Sequence, residues 1–97
     1  MTDAGDIHLA DLNEECRRHV LVVSNRRFNR LSGRVLVAPE LRGEPDDVAF
    51  PWRVEVDGTV YAVDLLRSLP ADRLLDRTDR APAATMAAVR RAVHAIA

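Results

Sequence analysis

Ninety-seven residues carry 14 basic and 15 acidic side chains, for a formal net charge of −1, and a single cysteine. That length suits one small domain with a modest core, and the apolar content is that of a globular chain rather than a disordered one. Cys16 alone makes no intrachain disulfide, no Cys/His spacing resembles a zinc site, and no apolar run approaches the ~18 residues of a membrane span. The acidic N-terminus, MTDAGDIHLAD, lacks the apolar stretch of a signal peptide, so a cytoplasmic location is expected. Whole-chain charge says nothing about nucleic acid, but its distribution is uneven. Between Arg17 and Leu41 lie six arginines and one acid, Glu40. Every cation in the chain is an arginine, a permanently charged planar fork suited to phosphate.

Residues 1–5 read as a loose end. Asp6–Leu12 alternates as a strand, with Ile7 and Leu9 on one face and His8 and Ala10 on the other. A polar loop over 13–17 leads to a buried strand, Arg18–Ser24, rich in β-branched residues. Alternation sends Arg18 and His19 to opposite faces of that strand. Asn25–Leu31 reads as a helical turn capped by Asn25. Arg26 and Arg30 share one face of it, with Arg27 off that face. Phe28 reads as a core plug, with a base-stacking platform as the alternative. After the Ser32-Gly33 turn comes a second strand, Arg34–Leu41. Residues 42–47 are a loop marked by Gly43 and Pro45, and Pro51 within 48–56 implies an edge position or a strand start at Trp52.

WRVEVDGTVYAV is the strongest local signal in the chain. Trp52, Val54 and Val56 alternate with Arg53 and Glu55, and Asp57-Gly58 is a two-residue hairpin turn before a return strand over Thr59–Leu65. Trp52 and Tyr61 are expected as core or interface anchors. Leu69–Leu74 reads as a short helical turn. Residues 82–97 form a helix whose apolar stripe is Met86, Val89, Val93 and Ile96, with His94 off the stripe. Five to six short antiparallel strands and a C-terminal helix make a mainly β protein, a small barrel or curled sheet with the helix on an open face.

The candidate chemistry follows from residue type. Arg18 is suited to a developing oxyanion on phosphorus. Arg17, Arg26, Arg27 and Arg30 are phosphate contacts, and the helix start at Asn25 adds donors for an anion. His8 and His19 are candidate bases that would meet across paired strands, and Glu14 and Glu15 sit in the loop just before Arg18. No glycine-rich phosphate loop or metal motif is present. An enzyme built this way would work on a polyanion without metal or other cofactor.

The ordered segments GDIHLADL, RRHVLVVSN, GRVLVAPEL, WRVEVD and VDLLRSLPADRL resemble the MazF/PemK toxins of bacterial toxin–antitoxin pairs. The resemblance covers most of residues 5–75, with the closing helix in the corresponding place. It implies a plug-like barrel related to the SH3 type, a homodimer, and a metal-independent endoribonuclease that cuts single-stranded RNA at a short motif. The 2′-hydroxyl would attack the adjacent phosphate, leaving a cyclic phosphate and a 5′-hydroxyl end, and a cognate antitoxin protein would hold the toxin inactive. The family arginine that stabilises the phosphorane falls on Arg18, the late Arg-Ser/Thr pair on Arg67 and Ser68, and the polar turn on Asn25, Asn29 and Arg30. Two positions depart from the pattern. His19 replaces a proline, and Leu41 stands where the family has a threonine that partners the arginine. Glu40, Ser24 or a histidine would then substitute for it. Failing that, the chain would lack strong ribonuclease activity and act by binding a protein, as the related CcdB toxins act on gyrase.

Overall fold

The computed structural model describes residues 2–41 and 50–97. In chain order its elements are β1 (Asp6–Ala10), β2 (Arg18–Val22), α1 (Arg26–Ser32), β3 (Arg34–Leu41), β4 (Arg53–Val56), β5 (Thr59–Ala62), β6 (Arg67–Pro70), β7 (Leu74–Arg80) and α2 (Ala83–Ile96). Single 3₁₀ turns at Val63–Leu65 and Ala71–Arg73 introduce β6 and β7. The expected loop over 42–47 and the residues just after it lie outside the described ones.

β3 is the hub of the sheet. One edge of it pairs with β2, from Val20 opposite Pro39 to Val22 opposite Val37. The other edge is shared, with β6 along Arg34–Val37 and β5 at Glu40 and Leu41. The continuous path is β4-β5-β3-β2-β1-β7, with β6 branching from β3. All pairings are antiparallel. The result is the expected mainly β, barrel-like sheet with a C-terminal helix.

Strand alternation divides the apolar side chains between two clusters, as a period of two requires. Val20 and Val22 join Ala10, Leu12, Val35, Val37 and Leu69 on one side. Leu21, Ile7 and Ala38 face the other way, toward the β4–β5 hairpin and Met86, Val89 and Ala92 of α2. The Asp57-Gly58 turn forms as read. Both residues have positive φ, 49° and 83°, the handedness that matches strand twist in a two-residue hairpin.

Several expectations need correction. β7 was unforeseen. Its sequence, LLDRTDR, does not alternate because it is a mostly exposed edge held by backbone pairing to β1 and by charge. Charged side chains on an edge also deter pairing with other chains. The helical turn read over 69–74 shrinks to Ala71–Arg73 between β6 and β7, and β5 ends at Ala62 rather than Leu65. Phe28 is no core plug but 41% exposed, and Ile96, at the far end of α2, is 46% exposed, so the packed stripe stops one turn early.

Residues 2–5 are pinned rather than loose. The Gly5 N–H donates to the Val22 carbonyl at 2.9 Å and the Gly5 carbonyl accepts from Ala81 at 2.7 Å. At Gly5 φ is +97°, and a Cβ there would lie 3.4 Å from Met86 Cγ. Glycine alone meets both demands without strain. Beside it, the buried Asp6 carboxylate accepts from the Asp3 N–H at 3.0 Å and from Arg80 at 2.5 Å, with Arg77 3.6 Å away. Burial pushes its pKa up, but the Asp3 hydrogen bond and the two arginines outweigh burial and hold the carboxyl below its usual range.

Candidate active site

β2 enters the sheet with Ala10 opposite Arg18 and Leu9 opposite His19. Antiparallel pairing with β3 brings Glu40 to the same strand end. The His19 backbone N–H donates to Glu40 Oε1 at 2.9 Å, and His19 Nδ1 lies 3.5 Å from that oxygen. Arg18 donates through Nη1 to the Glu40 carbonyl at 3.4 Å and through Nη2 to Glu14 Oε2 at 2.9 Å. The end of β2 thus holds the His19 imidazole against the Glu40 carboxylate, while Arg18, from the other face of the strand, reaches the Glu40 backbone carbonyl. The Glu40 side chain is 13% exposed and that of His19 is 41% exposed, so the carboxylate is sheltered while the imidazole is open to solvent.

Chemically, such a cluster offers fixed positive charge, an acceptor for a hydroxyl proton and a group that both takes and gives protons near neutral pH. Glu14 sits four residues before Arg18 and shares its charge. A surface ion pair of this kind contributes only about 0–1 kcal/mol, so a phosphate is able to displace it. The i,i+4 spacing of Glu14 and Arg18 is the signal in the sequence for this pairing.

The other candidates separate from this cluster. His8 and His19 do not meet. His8 faces Val20 from the neighbouring strand, and its Nδ1 lies 2.8 Å from the Leu75 carbonyl. Its buried Nε2 has no partner among the described residues. Ser24 is buried at the opposite end of β2, where its hydroxyl donates to Asn29 Oδ1 and accepts from the Leu36 N–H. It cannot stand in for a missing catalytic hydroxyl.

Asn25 is spent as the α1 cap, its side chain accepting from the Phe28 N–H at 2.8 Å. Arg26, Arg27 and Arg30 belong to this end too, beyond Val22, which is itself four strand residues or about 13 Å along β2 from Arg18. The Arg26 guanidinium lies 3.7 Å from Asp3, whereas Arg27 and Arg30 are exposed and have no ion-pair partner among the described residues. Ser68 pairs across from Leu36 and accepts from Arg34 Nε at 2.8 Å. Arg67, exposed on β6, lies opposite Val37, which in turn pairs with Val22 at the α1 end of β2. Arg17 is exposed just before β2. Among the described residues, no three His, Cys, Asp or Glu side chains converge on a metal-sized point.

α1 and α2 flank a cavity of about 470 Å³ whose walls include Val23, Phe28, Leu36, Met86, Val89 and Val93, with Arg90 beside them. Asn25 and Ser24 supply its polar side.

A family model described as the PemK-like, MazF-like toxin of type II toxin–antitoxin systems matches residues 3–97. The chain belongs to that family. Among solved structures, it is similar to a mycobacterial endoribonuclease in complex with its cognate antitoxin, with a TM-score of 0.82 and 20% identity, covering 98% of this chain and 93% of that one. Similar too are a MazE–MazF complex from Deinococcus radiodurans (TM-score 0.79, 25% identity, 98% and 93% coverage) and the Mycobacterium tuberculosis toxin MazF-mt6 (0.77, 21%, 93% and 93%). No curated protein sequence matches it. For a PemK/MazF-like chain, the notable position is Leu41. It closes β3 opposite Val60 and offers no hydroxyl, while the adjacent Glu40 turns its carboxylate to His19.

Proposed function

We propose that this toxin is a metal-independent endoribonuclease for single-stranded RNA and that Arg18, His19 and Glu40 carry its reaction. What supports the reading is the convergence of these three residues at one strand end in a PemK/MazF-like chain. Glu40 takes the proton of the 2′-hydroxyl as the 2′-oxygen bonds to phosphorus. Arg18 stabilises the charge on the phosphorane. The bond from phosphorus to the 5′-oxygen breaks, and protonated His19 gives that oxygen its proton. The products are a 2′,3′-cyclic phosphate and a 5′-hydroxyl. Transfer of the proton from Glu40 to His19 across their 3.5 Å contact resets the pair. Glu40 thereby replaces the hydroxyl that Leu41 lacks.

Arg17 beside Arg18, and Arg26, Arg27, Arg30, Asn25, Arg67 and Ser68 toward the α1 end, are the contacts that would hold single-stranded RNA mainly through its backbone. The remaining features fit a cytoplasmic toxin whose residues 1–97 act as one domain in a homodimer. Its antitoxin lays an acidic, apolar segment into the α1–α2 cavity, whose walls are mostly apolar and include Arg90. The neighbouring Deinococcus and mycobacterial structures are themselves toxin–antitoxin complexes.

Inducible expression with mapping of 5′-hydroxyl RNA ends tests the reading. Growth arrest with new ends at one short motif, lost in Arg18→Ala, is the expected result. Arrest with double-strand DNA breaks and no new RNA ends would replace it with a CcdB-like mode, and retained cleavage in Arg18→Ala would remove Arg18 from the mechanism.

A further inference from the structure

On the α2-facing side of the sheet, next to His19, the β4–β5 turn and β7 enclose a second pocket of about 160 Å³. Its lining includes Asp57, Asp79, Tyr61, Thr59, Thr78 and His19. Asp57 stands at the tip of the hairpin and Asp79 on β7, opposite Ile7 of β1. Both carboxyls line the pocket, and hydrogen bonding to Asp79, followed by the charge of Asp79, raises the pKa of Asp57. Asp79 Oδ1 also accepts from the Arg80 N–H at 2.8 Å, which fixes one side of its carboxylate. The nearest cations, Arg77 and Arg80, are engaged by Asp6 instead.

Tyr61 supplies an independent observation. The residue is 3% exposed, and its hydroxyl has no hydrogen-bond partner among the described residues. Its ring is buried while the hydroxyl oxygen opens onto the pocket. The hydroxyl lies among negative charges. Burial, followed by Glu40, Asp79 and Asp57, pushes its pKa up to about 12. It therefore stays a neutral hydroxyl facing two carboxyls, with an unfilled hydrogen-bonding capacity at the pocket wall.

We propose that this pocket binds an organic cation, a guanidinium or primary ammonium head, seated between Asp57 and Asp79 and donating to the Tyr61 hydroxyl. The lining is rich in acceptors, from the two carboxylates, the phenol and the hydroxyls of Thr59 and Thr78. Guanidinium and ammonium groups are pure donors and match it. Thr78 already donates to the Ile7 carbonyl at 3.4 Å, so its oxygen presents lone pairs rather than its proton. A bound cation separates the two carboxylates and gives the phenol its partner. It also lies against His19, which ties occupancy of this pocket to the Arg18–His19–Glu40 cluster. The binding itself stands apart from the ribonuclease reading and is tested without RNA.

The test is a titration of the full-length protein followed by amide and side-chain chemical shifts, with N-acetylarginine amide and spermidine as separate probes. Saturable shifts concentrated at Asp57, Gly58, Tyr61 and Asp79 are expected. Affinity should fall about tenfold in Asp79→Asn, since a charge-assisted hydrogen bond is lost, and about threefold in Tyr61→Phe, which keeps the ring in the core. Saturation by the arginine probe alone assigns the site to a protein side chain, and by spermidine alone to a free polyamine. Shifts scattered over all acidic surfaces, or equal affinity in wild type and Asp79→Asn, would overturn the proposal.

Discussion

The two ends of β2 look alike in sequence and differ in kind. At one end, Arg18 and His19 meet Glu40 and Glu14 through hydrogen bonds that orient every charged group. At the other, Arg27 and Arg30 stand on a short helix, exposed and unpaired among the described residues, above a buried polar lock. There the Asn29 side-chain amide donates to the Thr2 carbonyl at 3.0 Å and to the Ser24 carbonyl at 3.2 Å. At the first end the Arg18 cation has assigned partners. At the second, of Arg26, Arg27 and Arg30, only Arg26 meets an acid among the described residues. The density of charge along a chain therefore says little about which side chains are held in place. That depends on what the opposing strand delivers, here Glu40 from β3.

Substitutions at the two ends should separate these roles. Arg18→Ala is expected to lower the RNA cleavage rate by about 10²- to 10³-fold, the usual cost of removing one donor to a developing oxyanion. Single-turnover kinetics on a short single-stranded RNA would measure it. Glu40→Gln keeps an oxygen to accept from the His19 N–H but removes the base. It should cost about 10²-fold and abolish the acidic limb of the pH–rate profile. An unchanged profile would hand the base to another group.

At the α1 end, Asn29→Ala should lower stability by about 2–3 kcal/mol, because it leaves buried polar partners unsatisfied, while cleavage per folded molecule stays the same. Thermal and denaturant unfolding beside an activity assay would show the split. The smallest effect belongs to Arg27→Ala combined with Arg30→Ala. RNA affinity should weaken modestly at low salt and the dependence of binding on salt should become shallower, with the catalytic step untouched. A loss of catalytic rate in that double variant would erase the distinction between the two ends.

Asp6 adds a prediction in pH. Its folded-state pKa lies below the ordinary value of 3.8, so its contribution to stability is fully present above that value. It disappears as pH falls through the folded pKa. Asp6→Asn should accordingly be less stable than wild type near neutrality, and the gap should close in acid.

The hairpin at Asp57-Gly58, the cap at Asn25, β2, β3 and α2 were all readable, because each rests on local chemistry: a turn dipeptide, a capping side chain, an alternating or helical apolar pattern. β7 was not, since an edge strand held by backbone pairing leaves little apolar signature. Of the candidate site, Arg18, His19 and Glu40 were named from residue type and resemblance. That they meet while His8 and Ser24 fall away depends on strand register, which no local pattern encodes. Tyr61 was read as an anchor, and so it is. Its unpartnered hydroxyl depends on Glu40, Asp57 and Asp79, which come together from three separate strands and turns.

The clasp at Gly5 bears on how the molecule comes into being. Gly5 bonds to Val22 on one side and to Ala81 on the other, and β1 pairs with β7 across nearly the whole length of the chain. Such high-order closure is slow and waits for distant sequence. Arg18, His19 and Glu40 are all synthesised within the first 41 residues, yet the strand beside them keeps an open edge until residues 74–81 arrive. A ribosome making this toxin should therefore hold an immature chain until residues 74–81 can reach β1, and protease protection of chains truncated at successive lengths would show it as resistance gained only when residue 81 is present.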